Sequence, residues 1–197
     1  VWSVPTAIRM GQRLEAVRPE YYEDPAWGLA GNAAVRERVR IPIATNMYPA
    51  RFDDLAPGIR LGSVDIVLTD LHYWEGPRGV KELAAVCRTF GLGVAMHSGV
   101  EFGVELAAML HTASTLPEMS TAGDAHYHYL DDDIIVGGKM PYVDGAIAVP
   151  TGPGLGVELD AERMDKYERY FDEVGDYYAR FHVDERRPDW VPTVGGF

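Results

Sequence analysis

The sequence predicts an α/β fold built on a parallel sheet, and three observations lead there. Short apolar runs alternate with amphipathic helical stretches from about residue 20 to about residue 126. Each run ends in a polar residue, and these ends recur along the chain: Glu23 to Asn46 is 23 residues, Asn46 to Asp70 is 24 and Asp70 to His97 is 27. That interval is the length of one βα unit. Right-handed βαβ crossovers make such strands parallel and bring their carboxyl ends to one side.

The elements follow in order. "VWSVPTAIRMGQRLEAV" opens the chain as a helix, with Ser3 as cap, Pro5 in the first turn, and Ala7, Met10, Leu14 and Val17 on one face. The strands are "EYYE" (20–23), "IPIATN" (41–46), "VDIVLTD" (64–70) and "GLGVAMH" (91–97), with a weaker one near "STAGDAH" (120–126). Helices are expected around 32–39, 50–56, 79–90 and 101–115, the third carrying the stripe Val80, Leu83, Ala84, Cys87 and Phe90. Trp74, Phe90 and Phe102 read as core. Beyond about residue 130 the pattern becomes irregular: "YLDDDIIVGGKMPYVDG" reads as loop or hairpin, its acidic run solvated, and "VPTGPGLGVELD" as Gly/Pro-punctuated chain. The latter's glycines lack the Lys-Ser/Thr and the strand-turn-helix context of a phosphate loop. A last helix starts near Asp160, with Met164, Tyr167, Phe171 and Val174 on one side. Residues 1–150 are expected to form the barrel-like part and 151–197 a terminal helix and tail.

Composition narrows the function. With 47% hydrophobic residues in 197, the chain can bury a sizeable core. A net charge of -12 with 18 scattered Lys and Arg argues against nucleic acid, whose phosphates need a basic stripe, but leaves small anionic substrates open. The single cysteine, Cys87, lies in an apolar helical pattern and reads as a buried thiol. With neither a long apolar span nor a basic-then-apolar leader in view, a soluble cytoplasmic protein is the expectation.

In a parallel sheet, strand ends about 25 residues apart become neighbours on the face that carries chemistry. Glu23 and Asn46 are hard oxygen donors suited to Mg²⁺, which can hold a substrate carboxylate and neutralise charge developing on the adjacent carbon. His97 has the reference pKa of a base near neutrality, and Asp70, one unit earlier, can fix its tautomer. Glu101 can reach the same mouth or greet a helix N-terminus, while His72 reads as a surface-loop residue and His111 and His182 as structural.

Taken together, "YYEDP", "IPIATNM", "VDIVLTDLHYW", "GLGVAMHSG" and "PGLGVELD" resemble the later part of the enolase superfamily, in its glucarate dehydratase-like branch. The resemblance implies the later part of a modified (β/α)7β TIM-like barrel with a separate capping domain. It implies Mg²⁺ on Glu23 and Asn46, a base dyad of His97 and Asp70, and substrate contacts from His126 and Arg187. The implied reaction is abstraction of a proton alpha to a carboxylate, then loss of the beta hydroxyl, on an acid sugar such as an aldarate or aldonate. Where the branch carries "HSNN", this chain has "HSGVEF", so Gly99 offers no amide side chain. The family's first strands, with Lys-x-Lys and Asp-x-Asn motifs, would lie before Val1; the expectation is a longer polypeptide whose N-terminal part completes the site, with a homo-oligomer possible.

Three alternatives stand beside this reading. A racemase or epimerase would begin with the same proton abstraction. A non-catalytic, truncated barrel would lack the first carboxylate. A cupin-like metal site could use His126 and His128 of "HYHYLDDD" if that stretch were a strand.

Overall fold

Ile66, Val67, Leu68 and Thr69 are all buried, the signature of a strand covered on both faces. In the computed structural model, which describes residues 1–117, 119–124 and 126–175, this strand is the third of four. β1 (Tyr22–Glu23), β2 (Ile43–Thr45), β3 (Ile66–Thr69) and β4 (Gly93–Met96) form one sheet in chain order. Every pairing is parallel. The crossovers run through α2 (Gly28–Arg36), α3 (Phe52–Leu61) and α4 (Gly76–Phe90), while α1 (Val4–Leu14) precedes the sheet and α5 (Gly103–Ser114) follows it. The last described helix is α6 (Ala161–Val174), capped by Asp160 accepting from the Arg163 amide.

The period of two divides the sheet into two faces. Val67, Val94 and Met96 join Val80, Leu83 and Cys87 of α4 and Leu106 and Met109 of α5 in one core. Tyr22 and Ile43 join Ala7 of α1 and Val35 of α2 in a second. The residues between them, Ala44, Ile66, Leu68 and Ala95 with Tyr21 alongside, form a separate inner cluster.

Several expectations are corrected. The segment near 120–126 does not form a strand among the described residues. It runs beside β4, with the Ser120 amide donating to the Val94 carbonyl at 2.8 Å and the Asp124 amide to the Met96 carbonyl at 2.9 Å. The buried face of α1 centres on Ala7 and Gly11, leaving Val17 exposed, because the chain leaves the helix through a 3₁₀ turn at Glu15–Val17. Ser3 stands at the cap position, but its hydroxyl bonds Thr6 Oγ1 rather than a backbone amide. In α4 the stripe holds through Cys87, whereas Phe90 at the last turn is exposed, and Trp74 rather than Phe90 is core.

The acidic run is not simply solvated. Asp133 is fully buried, accepting the Gly103 amide at 2.9 Å and the Tyr127 hydroxyl, so it satisfies the amino end of α5. Asp132 takes Arg163, Lys166 and Tyr167 of α6. His126–Tyr129 is a 3₁₀ turn, which removes the strand that a cupin-like pairing of His126 and His128 requires. No helix among the described residues is long and apolar enough to cross a membrane.

Candidate active site

The inner face explains why distant residues meet. Tyr21, Ala44, Leu68 and Ala95 point inward, so two residues further on Glu23, Asn46, Asp70 and His97 share that direction at the carboxyl ends. The registers step the ends along the sheet: Glu23 pairs with Ala44, two residues before Asn46, and Thr45 pairs with Val67, three before Asp70, whereas Thr69 pairs with Met96, directly before Asp70 and His97. The His97 amide continues the ladder by donating to the Thr69 carbonyl at 2.7 Å.

Two pairs result. Asn46 Nδ2 donates to Glu23 Oε1 at 2.8 Å. Nδ1 of His97 lies 2.8 Å from Oδ2 of Asp70. Since a carboxylate only accepts, Nδ1 carries the hydrogen and Nε2 is left with the lone pair. Burial pushes the Asp70 carboxyl up, but hydrogen bonds from His97 and His72 outweigh it, so the net shift is downward. His97 is raised, first by its hydrogen bond to Asp70, against burial, with Asp70, Glu23 and Asp124 adding attraction.

The two pairs share one electrostatic environment. Glu23 is raised by burial and then by Asp24, with His97 and His126 opposing. An acid held up in this way is a place where a cation would be welcome, and the carboxylate and amide supply hard oxygen donors, so the residues fit Mg²⁺. To act as a ligand Asn46 would offer Oδ1 in place of the amide nitrogen it now turns to Glu23.

A supporting layer was not apparent from sequence. Asp24, with φ +37°, turns its carboxylate to the helix side, where Oδ1 accepts the Thr45 hydroxyl at 2.5 Å and Oδ2 the Asn46 amide at 3.1 Å. It therefore ties β1 to β2 just where Glu23 and Asn46 project. Glu101, buried, accepts the Ser98 hydroxyl at 2.6 Å and the Gly99 amide, so it braces the loop after His97 instead of lining the mouth. The Ser98 hydroxyl accepts the His126 amide at 2.9 Å, and the Ser98 carbonyl accepts from His126 Nδ1 at 3.0 Å. That bond leaves His126 Nε2 as an acceptor, 3.8 Å from Asp124 Oδ1. Asp124 also acts on Tyr21, Glu23 and His97, and its position beside β4 could have been suspected from "GDAH". Arg187 and His182 lie outside the described residues.

His72 lies in the exposed turn after β3, as expected of a surface-loop residue, and in addition contacts Asp70. Among the described residues, Asp70, His72 and Glu105 are the group whose potential ligand atoms converge, all within 4.8 Å. His72 is hydrogen-bonded to Asp70 and lies 3.1 Å from Glu105 Oε1. Cys87, by contrast, is inert: burial pushes its thiol up to about 12.

Parallel βα units that project an imidazole oriented by the preceding strand's carboxylate define a barrel-type α/β domain of the kind that carries its chemistry at the strand ends. The chain belongs to the enolase C-terminal domain-like family, whose model matches residues 1–163. A Streptomyces coelicolor protein named "Probable glucarate dehydratase" is 41% identical over 198 residues, covering 98% of this chain and 46% of that protein. The o-succinylbenzoate synthase of Thermobifida fusca is 34% identical over 168 residues, covering 85% and 50%. An enolase of Pseudomonas fluorescens Pf0-1, solved with bound magnesium, potassium and tartrate, matches with a TM-score of 0.87 at 41% identity, covering 96% of this chain and 45% of that one. The chain thus spans about half the length of the relatives it matches.

Proposed function

We propose that this chain carries the base-bearing part of a Mg²⁺-dependent acid-sugar dehydratase acting on an aldarate or aldonate in the cytoplasm. The observation that carries the reading is the 2.8 Å contact between Asp70 Oδ2 and His97 Nδ1 at the same strand ends as the Glu23–Asn46 pair. The identity to a protein named as a glucarate dehydratase supports the substrate class.

In this reading Nε2 of His97 takes the proton alpha to the substrate carboxylate, and Asp70 stabilises the imidazolium that forms. The electron pair of the broken C–H bond becomes the new C=C bond as the beta C–O bond breaks, and the hydroxyl leaves as water by taking up the proton that His97 removed. Mg²⁺ bound by Glu23 and Asn46 supplies positive charge that offsets the charge developing at the carboxylate. His126, its tautomer set by the Ser98 carbonyl, presents Nε2 as an acceptor to a substrate hydroxyl. Arg187 is proposed as a further substrate contact.

The test uses the complete polypeptide that contains this sequence, incubated with Mg²⁺ and a panel of aldarates and aldonates in D₂O. Alpha-proton exchange accompanied by loss of water is expected. Exchange with inversion and no dehydration would replace the reading with racemisation or epimerisation, and no exchange on any acid sugar would overturn it.

A further inference from the structure

Asp70 is shared between two imidazoles. After β3 the chain turns at once through residues 71–75 and brings His72 back onto the residue that precedes the turn. The His72 amide donates to Asp70 Oδ1 at 2.7 Å, and His72 Nδ1 lies 2.9 Å from the same oxygen. On its other side Nδ1 lies 3.1 Å from Oε1 of Glu105, in the first turn of α5. The bond to Asp70 is made to a carboxylate, which only accepts, so Nδ1 carries the hydrogen, and Glu105 lies beside it as a second negative group.

The consequence falls on the other oxygen. A carboxylate rotates in a broad torsional well unless something holds it. With Oδ1 taken by two donors from His72, Oδ2 is aimed at His97 Nδ1, 2.8 Å away. The Asp70 side chain is 8% exposed and that of His72 64%, so the partly solvated ring covers and orients a buried acid.

We propose that His72 is a positioning residue for the His97 base, acting through Asp70 and braced by Glu105 from α5, so that His97 keeps the tautomer with its lone pair on Nε2. The proposal rests on the reading of His97 as the base, and it adds a residue that touches neither the reacting atoms nor the Glu23–Asn46 pair.

Two measurements on the complete polypeptide test it. In the first, alpha-proton exchange is followed on whichever aldarate or aldonate the wild type exchanges. His72→Phe, which keeps a ring without the donor, is expected to lower kcat about tenfold with KM unchanged. His72→Asn, whose amide can donate from nearly the same place, is expected to restore kcat to within about threefold of wild type. In the second, ¹⁵N shifts of the His97 ring, assigned by their loss in His97→Gln, report its tautomer without any substrate. The Nδ1–H tautomer should dominate in wild type and in His72→Asn, and give way to a mixture in His72→Phe. An unchanged tautomer in His72→Phe overturns the proposal, as does a raised KM with kcat intact, which would make His72 a substrate contact. If the wild type exchanges no acid sugar, the proposed reaction falls, and the ring shifts still decide the role of His72.

Discussion

Asp70 Oδ2 stands 2.8 Å from His97 Nδ1, each residue one step past the last paired positions of its strand, Thr69 and Met96. The contact moves the two groups apart in pKa, His97 upward and Asp70 downward. Proton abstraction needs the neutral ring, so the exchange rate should rise with pH through a midpoint above the ordinary histidine value of about 6.5. Asp70→Asn should lower that midpoint, because it removes the anion that favours the imidazolium. Linkage gives a matching stability profile. The raised His97 contributes fully below its unfolded pKa and loses its contribution as pH rises through the folded one. The lowered Asp70 contributes above its unfolded pKa and loses its contribution as pH falls through the folded one. Denaturant unfolding across pH should show both losses in wild type, and both should be diminished in Asp70→Asn.

Glu23→Gln keeps the shape of the residue facing Asn46 and removes its charge. Calorimetric titration with Mg²⁺ should show affinity reduced at least tenfold, by analogy with the loss of one anionic ligand from a site of few protein oxygens. An unchanged titration would remove Glu23 from the ligand set.

Asp24→Ala should act on both stability and metal binding. The Thr45 hydroxyl and the Asn46 amide lose their shared acceptor, at a cost of about 1–3 kcal/mol in denaturant unfolding. Asn46 also loses its anchor, so Mg²⁺ affinity should fall although Asp24 itself points to the helix side. Stability loss with unaltered affinity would confine Asp24 to a structural role.

The turn that carries His72 depends on a close approach at Gly79. A Cβ there would lie 1.8 Å from the Trp74 carbonyl oxygen, which is backbone and cannot swing aside. Gly79→Ala should therefore destabilise by about 1–3 kcal/mol, measured by thermal or denaturant unfolding, as expected of overpacking at a tight site. It should also disturb His97 exchange, since the turn it displaces holds His72 against Asp70.

Strands β2, β3 and β4 were legible because both of their faces are buried, which leaves a near-continuous apolar run, and the interval between polar strand ends matched one βα unit. The same reasoning paired Glu23 with Asn46 and Asp70 with His97. It failed where a polar residue is satisfied by a partner far along the chain. Asp133 looks solvated in "LDDD", yet its carboxylate is spent on Gly103, thirty residues earlier. Segment 120–126 has the composition of a strand end, but its described residues bond β4 through the amides of Ser120 and Asp124, too widely spaced for a regular ladder.

Alternation along a parallel sheet is a local property of the backbone, so the inward direction of Glu23, Asn46, Asp70 and His97 could be inferred from residue order and polarity alone. Which oxygen of Asp70 faces which ring could not. That choice arises where the turn after β3, the end of β4 and the first turn of α5 meet, and hydrogen-bond geometry there depends on positions that no single stretch of chain specifies. Side-chain torsions are free until packing confines them: for Glu105 and Asp24 the partners lie more than 20 residues away, and His72 is placed between Asp70, two residues earlier, and Glu105 of α5.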